Sequence, residues 1–196
     1  MECAMKRFYL AIMLLLFTAG SLFAQQSQVV DAAAFDKDIR QSGVQVFDVR
    51  TAGEFKTGHL PNALQADFTK QDEFKHRVQY LDKTKPVYVY CLSGGRSRAA
   101  AKWMRDNGFS SVTELEGGIN AWKQAGKPLV GVAGNQPQLS IADYNKSIHI
   151  KGWALTDVGA TWCPPCKQME PVLEKFFRKN QQVKKVQVDG GNDQDV

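Results

Sequence analysis

The chain has 196 residues, 25 Lys and Arg against 20 Asp and Glu, a formal net charge of +5 and 43% hydrophobic residues. These are the proportions of an ordinary globular protein with one large domain or two small ones, and they exclude a collagen, a disulfide-dense miniprotein and a wholly disordered chain. The basic excess is mild and interleaved with Asp and Glu, so nucleic acid is not an expected partner.

The first segment reads as an address. Lys6 and Arg7 precede an apolar run over residues 8–17, small residues over 18–21, and Leu22-Phe23-Ala24 before the polar Gln25-Gln26. That is the layout of a signal peptide over residues 1–24, with cleavage after Ala24. The run is short for a transmembrane helix and has no second anchor, and no Cys follows it to carry a lipid. The expected location is exported: periplasm or secreted. Cys3 would leave with the signal, and a start at Met5 would remove it altogether. Three thiols then remain, Cys91, Cys163 and Cys166, in an oxidising compartment. A close pair and one left over marks the odd thiol as a candidate reactive group.

Residues 25–130 alternate strand and helix patterns. Asp31 is placed to cap a helix with Phe35 and Ile39 on one face. Residues 44–49 form a mostly apolar strand candidate, and Phe74, Val78 and Leu81 sit at helical spacing. Residues 86–90 read as a strand ending at Cys91, residues 99–107 as a helix stopped by Gly108. Another strand candidate covers 112–115, and a short helix covers 119–124. This alternation predicts an α/β domain: a parallel sheet flanked by helices, with its ligand at the carboxyl ends of the strands. Residues 127–137 hold two prolines, two glycines and no charge after Lys127, which predicts a linker over 131–139. A second domain is expected over 140–196. It opens with a capping-box pattern, Ser140-Ile141-Ala142-Asp143, with Asp in place of Glu or Gln. A strand candidate over 153–158 contains Asp157, and Trp162-Cys163-Pro164-Pro165-Cys166-Lys167 follows. Next comes a helix with Met169, Leu173 and Phe176/Phe177 on one face and Pro171 as a kink, then a strand over 185–189.

The first site is Cys91-Leu92-Ser93-Gly94-Gly95-Arg96-Ser97, a glycine loop between a buried strand and a helix. Gly94 and Gly95 let the backbone curl so that successive N–H groups point inward, an anion-binding nest at a helix N-terminus. Those donors and Arg96 would depress the thiol pKa and stabilise a thiolate or persulfide.

Phe47-Asp48-Val49-Arg50-Thr51, Glu54-Phe55, Gly58-His59-Leu60-Pro61-Asn62-Ala63, the Cys91–Ser97 loop and Glu116-Gly117-Gly118-Ile119-Asn120-Ala121-Trp122 together resemble a rhodanese domain. The resemblance covers roughly residues 29–130 and implies a sulfurtransferase. By position, Cys91 would be the nucleophile and persulfide carrier, the amides of Leu92 to Ser97 would cradle sulfur and substrate oxyanion, and Arg96 would support the anion. Asp48, Arg50 and Glu54 read as a structural polar network, His59 as a turn brace, and Trp122 as core. Cysteine phosphatases use a similar loop, but need five residues between Cys and Arg to enclose phosphate, and only Leu92 to Gly95 intervene here. Silent binding modules of the family typically lack the cysteine that this chain keeps.

The Cys163-x-x-Cys166 pair admits three readings. Zinc needs about four ligands and no second Cys or His pair stands nearby, so no metal is expected. A purely structural disulfide remains open. A redox-active pair is favoured, because Cys163 would lie at a helix N-terminus and Cys166 one turn in, within bridging reach. This half resembles thioredoxin-like proteins of the extracytoplasmic kind. The resemblance implies that Asp157 is the buried acid that helps deprotonate the second thiol and that Lys185 is its lysine neighbour. Gly159 departs from the family's common aromatic, and the later elements of the fold are missing, so a truncated thioredoxin domain is expected. The combined expectation is an exported sulfurtransferase without cofactor. Its donor would be thiosulfate or a persulfide, and Cys163/Cys166 would be the thiol acceptor, reset by a membrane reductant system. The alternatives are a thiol–disulfide oxidoreductase whose first half docks partners, and a non-enzymatic sulfur sensor.

Overall fold

The computed structural model describes residues 28–131 and 138–190. The expected signal peptide, most of the expected linker and the last six residues lie outside this set.

Five strands form one parallel sheet: β1 (Gln28–Val30), β2 (Gln45–Asp48), β3 (Ala63–Gln65), β4 (Val87–Tyr90) and β5 (Val112–Leu115), in the order β1-β5-β4-β2-β3. The interior strands are buried on both faces, as a helix-covered parallel sheet requires. In β2 and β4 the pleat divides the core in two. Phe47, Val87 and Val89 pack with Phe74 and Met104 on one side, while Val46, Tyr88 and Tyr90 pack with Phe35, Leu115, Ile119 and Trp122 on the other. The first face is covered by α3 (Gln71–Val78) and α4 (Gly95–Asp106), the second by α1 (Ala32–Asp38), α2 (Ala52–Lys56) and α5 (Gly118–Gln124). Asp31 caps α1, its Oδ1 accepting from the Ala34 N–H at 2.8 Å. Trp122 is fully buried and its indole N–H donates to the Pro128 carbonyl.

Several boundaries move. The helix expected at 99–107 begins at Gly95, so the second half of the cysteine loop is the first turn of α4. Gly94, at φ 104°, makes the reversal that allows this start. β1, α2 and β3 were not expected, being three to five residues long, too short for periodicity to register.

The second unit holds α6 (Ile141–Ile148), β6 (Ala154–Gly159), α7 (Pro164–Lys179) and β7 (Lys184–Asp189). Ser140 caps α6, accepting from the Asp143 N–H. β6 pairs in parallel with β7 and, among the described residues, with no strand on its other side. Val186 and Val188 are buried, whereas Trp153, Val158, Met169 and Val172 are exposed. The expected apolar stripe of α7 is therefore only partly covered: Leu173 and Phe177 are half-buried, Met169 and Phe176 exposed. Among the described residues no helix is long and apolar enough to cross a membrane.

Candidate active site

Cys91 leaves the carboxyl end of β4, the central strand, with 1% of its surface exposed. The loop turns back on it. The Gly94 N–H donates to Cys91 Sγ at 3.1 Å, and the Ser97 hydroxyl lies 3.4 Å from the same sulfur and 3.1 Å from the Gly94 carbonyl. Burial pushes the thiol pKa up. Hydrogen bonds from the Ser97 side chain and from the backbone of Ser97, Ser93 and Gly94 outweigh it, so the pKa falls below the usual thiol value. Leu92 stands partly exposed at the rim, and Gly95 is the first residue of α4.

The loop rests on the start of α5. Ile119 donates its N–H to the Cys91 carbonyl at 2.9 Å and Asn120 to the Leu92 carbonyl at 3.2 Å. Gly118 makes this approach possible: a Cβ there would fall 2.5 Å from the Cys91 carbonyl oxygen, and its φ is +61°. The Gly117-Gly118 pair thus has a positioning role that the sequence reading did not assign.

Arg96 departs from expectation. Its guanidinium is not a free cation, because Glu54 holds it in a two-point pair at 2.7 and 2.6 Å. Glu54 sits in α2, where it closes a capping box with Thr51, accepting from the Thr51 N–H and hydroxyl at 2.9 Å each. Arg96 first, and Thr51 with it, hold the Glu54 carboxyl down to about 2 against a smaller opposing effect of burial. A depressed carboxyl stabilises the fold above its unfolded value and loses that contribution as pH falls through the folded one. Wild type should therefore exceed Glu54→Gln by about 1 kcal/mol at neutral pH, and the gap should shrink between about pH 4.5 and 2. Urea unfolding of both proteins across that window checks it; a gap independent of pH would remove the ion pair as its source.

Asp48 and Arg50 form the expected polar network, buried to 0% and 1% exposure. Arg50 Nη2 lies 2.6 Å from Asp48 Oδ2 and donates to the Gly58 carbonyl at 2.9 Å. His59 stacks on Phe55 with ring centroids 3.7 Å apart, and burial pushes its pKa down. Its backbone exchanges hydrogen bonds with Val130, which makes it a brace for the turn.

In the second unit Cys163 is the N-cap of α7 and forms a disulfide with Cys166, with Cα atoms 5.2 Å apart. Pro164 occupies the first helical position, where its missing N–H costs nothing. Asp157 is half-buried in β6. Its Oδ1 and the Cys166 Sγ each lie 3.6 Å from where a Cβ on Gly159 would stand, so the acid and the inner sulfur both border the space that a side chain at this position would take. Lys185 departs from the expected pairing. It lies opposite Leu155, not Asp157, and its ammonium sits over the Phe177 ring at 5.9 Å. No group of three or more His, Cys, Asp or Glu that could hold a metal exists among the described residues.

The second unit meets the sheet at its β3 edge. The Gln65 N–H at the end of β3 donates to the Trp162 carbonyl at 2.9 Å. The Trp162 ring rests on Phe55, centroids 5.7 Å apart, with the Arg77 guanidinium 5.4 Å from its centre. Gln168 donates to the Tyr80 carbonyl. Tyr90, Asp48 and Gln65 are in register across β4, β2 and β3. The residue after Tyr90 is Cys91 and the residue after Trp162 is Cys163. The Gln65 N–H points outward from β3, so the backbones of Tyr90 and Trp162 are three strand spacings apart, about 14 Å at about 4.8 Å each.

A cysteine carried by the central strand of a parallel sheet into a loop of inward-facing amides is placed where a nucleophilic thiol meets an anion. The comparisons narrow this. The family model of the rhodanese-like domain matches residues 31–125, and that of thioredoxin matches residues 136–196. A sulfurtransferase of Allochromatium vinosum is 35% identical over 91 residues, covering 46% of this chain and 82% of that protein. A thiosulfate sulfurtransferase of Coxiella burnetii is 33% identical over 85 residues, covering 43% and 77%. The solution NMR structure of a rhodanese-like domain from Anabaena superposes with a TM-score of 0.50 and 25% identity, over 59% of this chain and 88% of that one. The chain belongs to the rhodanese family and carries a thioredoxin domain behind its rhodanese domain.

Proposed function

We propose that the protein is a sulfurtransferase that forms a persulfide on Cys91 and discharges it through Cys163 and Cys166. The observation that carries this is the buried Cys91 sulfur receiving the Gly94 N–H and the Ser97 hydroxyl. Those donors favour a thiolate, and the same donors can hold the outer sulfur of a persulfide. The Cys91 thiolate attacks the sulfane sulfur of thiosulfate or of a persulfide donor. A sulfur–sulfur bond forms, the donor's own bond breaks, and sulfite or a thiolate leaves with the electron pair. The Cys163 thiolate then attacks the outer sulfur and Cys91 departs as thiolate. Cys166 attacks Cys163, the disulfide closes and hydrosulfide leaves. A Cys163–Cys166 disulfide is the expected end state of that sequence, and a dithiol reductant, supplied across the membrane, resets it. The layout of residues 1–24 supports export, so the proposed location is the periplasm or beyond it.

Intact-mass analysis of the reduced protein after thiosulfate tests the loading step and should show a gain of one sulfur atom. Cys163→Ser should load equally, while hydrosulfide release falls about tenfold or more. Unchanged release in that variant would remove the relay and leave the loading step standing; no sulfur gain in either protein would remove the whole reading.

A further inference from the structure

We propose that Glu54 sets the charge of the donor that the Cys91 loop accepts, favouring singly charged organic sulfane-sulfur donors over the thiosulfate dianion. This rests on the sulfurtransferase reading above and adds the substrate class.

Two of the cations beside the loop are held in closed pairs. Arg50 is held by Asp48, and Arg96 by Glu54 through both of its terminal nitrogens. Their formal charges sum to zero. Beyond these pairs the loop itself offers an anion its N–H groups and the start of α4, equivalent to about half a positive charge. One negative charge matches that, and a second would face a neutral guanidinium–carboxylate pair. The residue that follows Cys91 is Leu92, apolar and 39% exposed, a surface suited to an organic substituent rather than a sulfonate oxygen. Glu54 is also fixed in place: Thr51 donates to it twice, and α2 is anchored by the buried Phe55. It therefore acts on the donor by positioning and neutralising Arg96, not by touching sulfur.

The chemistry is the same for both donor classes. With methanethiosulfonate, the Cys91 thiolate attacks the terminal sulfur, a new sulfur–sulfur bond forms, and methanesulfinate leaves with the electron pair. With thiosulfate, sulfite leaves instead. Cyanide as acceptor returns Cys91 to thiolate as thiocyanate forms, so the assay bypasses Cys163.

Steady-state kinetics of the full chain with the two donors test the inference. Coulomb energy scales with donor charge, so Glu54→Gln, which frees one positive charge, should lower KM about threefold for methanethiosulfonate and about tenfold for thiosulfate. The preference for thiosulfate thus rises about threefold. Gln keeps an acceptor for the Thr51 N–H, so α2 retains its cap. Arg96→Gln leaves Glu54 unpaired and should shift the preference the opposite way, and the double variant should restore the wild-type ratio. A merely structural role would weaken both donors alike. An unmoved ratio, or shifts of the same sign in the two single variants, would overturn the inference while leaving sulfur transfer intact. Absence of turnover with both donors in wild type would instead overturn the sulfurtransferase reading.

Discussion

Cys91→Ser is expected to abolish sulfur transfer from every donor, with turnover falling by at least about a thousandfold. A serine hydroxyl is not ionised at neutral pH, and it cannot hold the transferred sulfur as a persulfide. The loss should be chemical and not structural. The serine oxygen is smaller, sits in the same buried position, and can accept the Gly94 N–H that Cys91 Sγ accepts at 3.1 Å. Stability should therefore change by less than about 1 kcal/mol. Thiocyanate formation and intact mass read the activity, and urea unfolding reads the fold. Retained turnover in a folded Cys91→Ser protein would move the nucleophile elsewhere, and Cys163 would be the next thiol to replace.

What the sequence disclosed follows from how local each signal is. β5 and the cap of α1 depend on neighbours within a few residues, and the strand ending at Cys91 is a run of four buried residues. These were legible. β3 was not, because Ala63-Leu64-Gln65 is an edge strand of three residues with a buried glutamine, and it owes its pairing to β2. Among the site residues, Cys91, Cys163 and Cys166 stood out through chemistry that few residue types can perform. Glu54 was seen only in a structural network. Its half of the capping box is local, but its bond to Arg96 spans 42 residues, and sequence pattern carries no register between segments that distant. The same limit explains Arg96, which reads as a free cation until its partner is placed. Lys185 depends on register too. Its spacing from Asp189 fits the family, yet the β6–β7 register sets it beside Leu155, and Phe177 on α7 offers its ring instead.

Arg50→Met should strongly destabilise the protein while leaving Cys91, Cys163 and Cys166 untouched. Burial disfavours the Arg50 cation, but the hydrogen bond and charge of Asp48 more than compensate and hold its pKa above the usual value. The pair is almost wholly enclosed, so removing one partner strands the other. Asp48 would keep the backbone N–H of residue 50 at 2.9 Å but lose both side-chain donors. The Gly58 carbonyl would lose its bond as well. A loss of about 3–5 kcal/mol is expected, a large share of the 5–15 kcal/mol typical of a domain. Asp48→Asn combined with Arg50→Met removes the stranded charge and should recover a good part of it. Function should suffer too. The Arg50 guanidinium lies over the Tyr90 ring at 5.6 Å, and the Tyr90 hydroxyl accepts from the Leu60 N–H, so the pair braces the strand end from which Cys91 emerges. Urea midpoints of the single and double variants, read at unchanged m, give the energies. A loss below 1 kcal/mol for Arg50→Met, or a double variant as weak as the single, would mean that water reaches Asp48. The strand end would then owe its position to apolar packing alone.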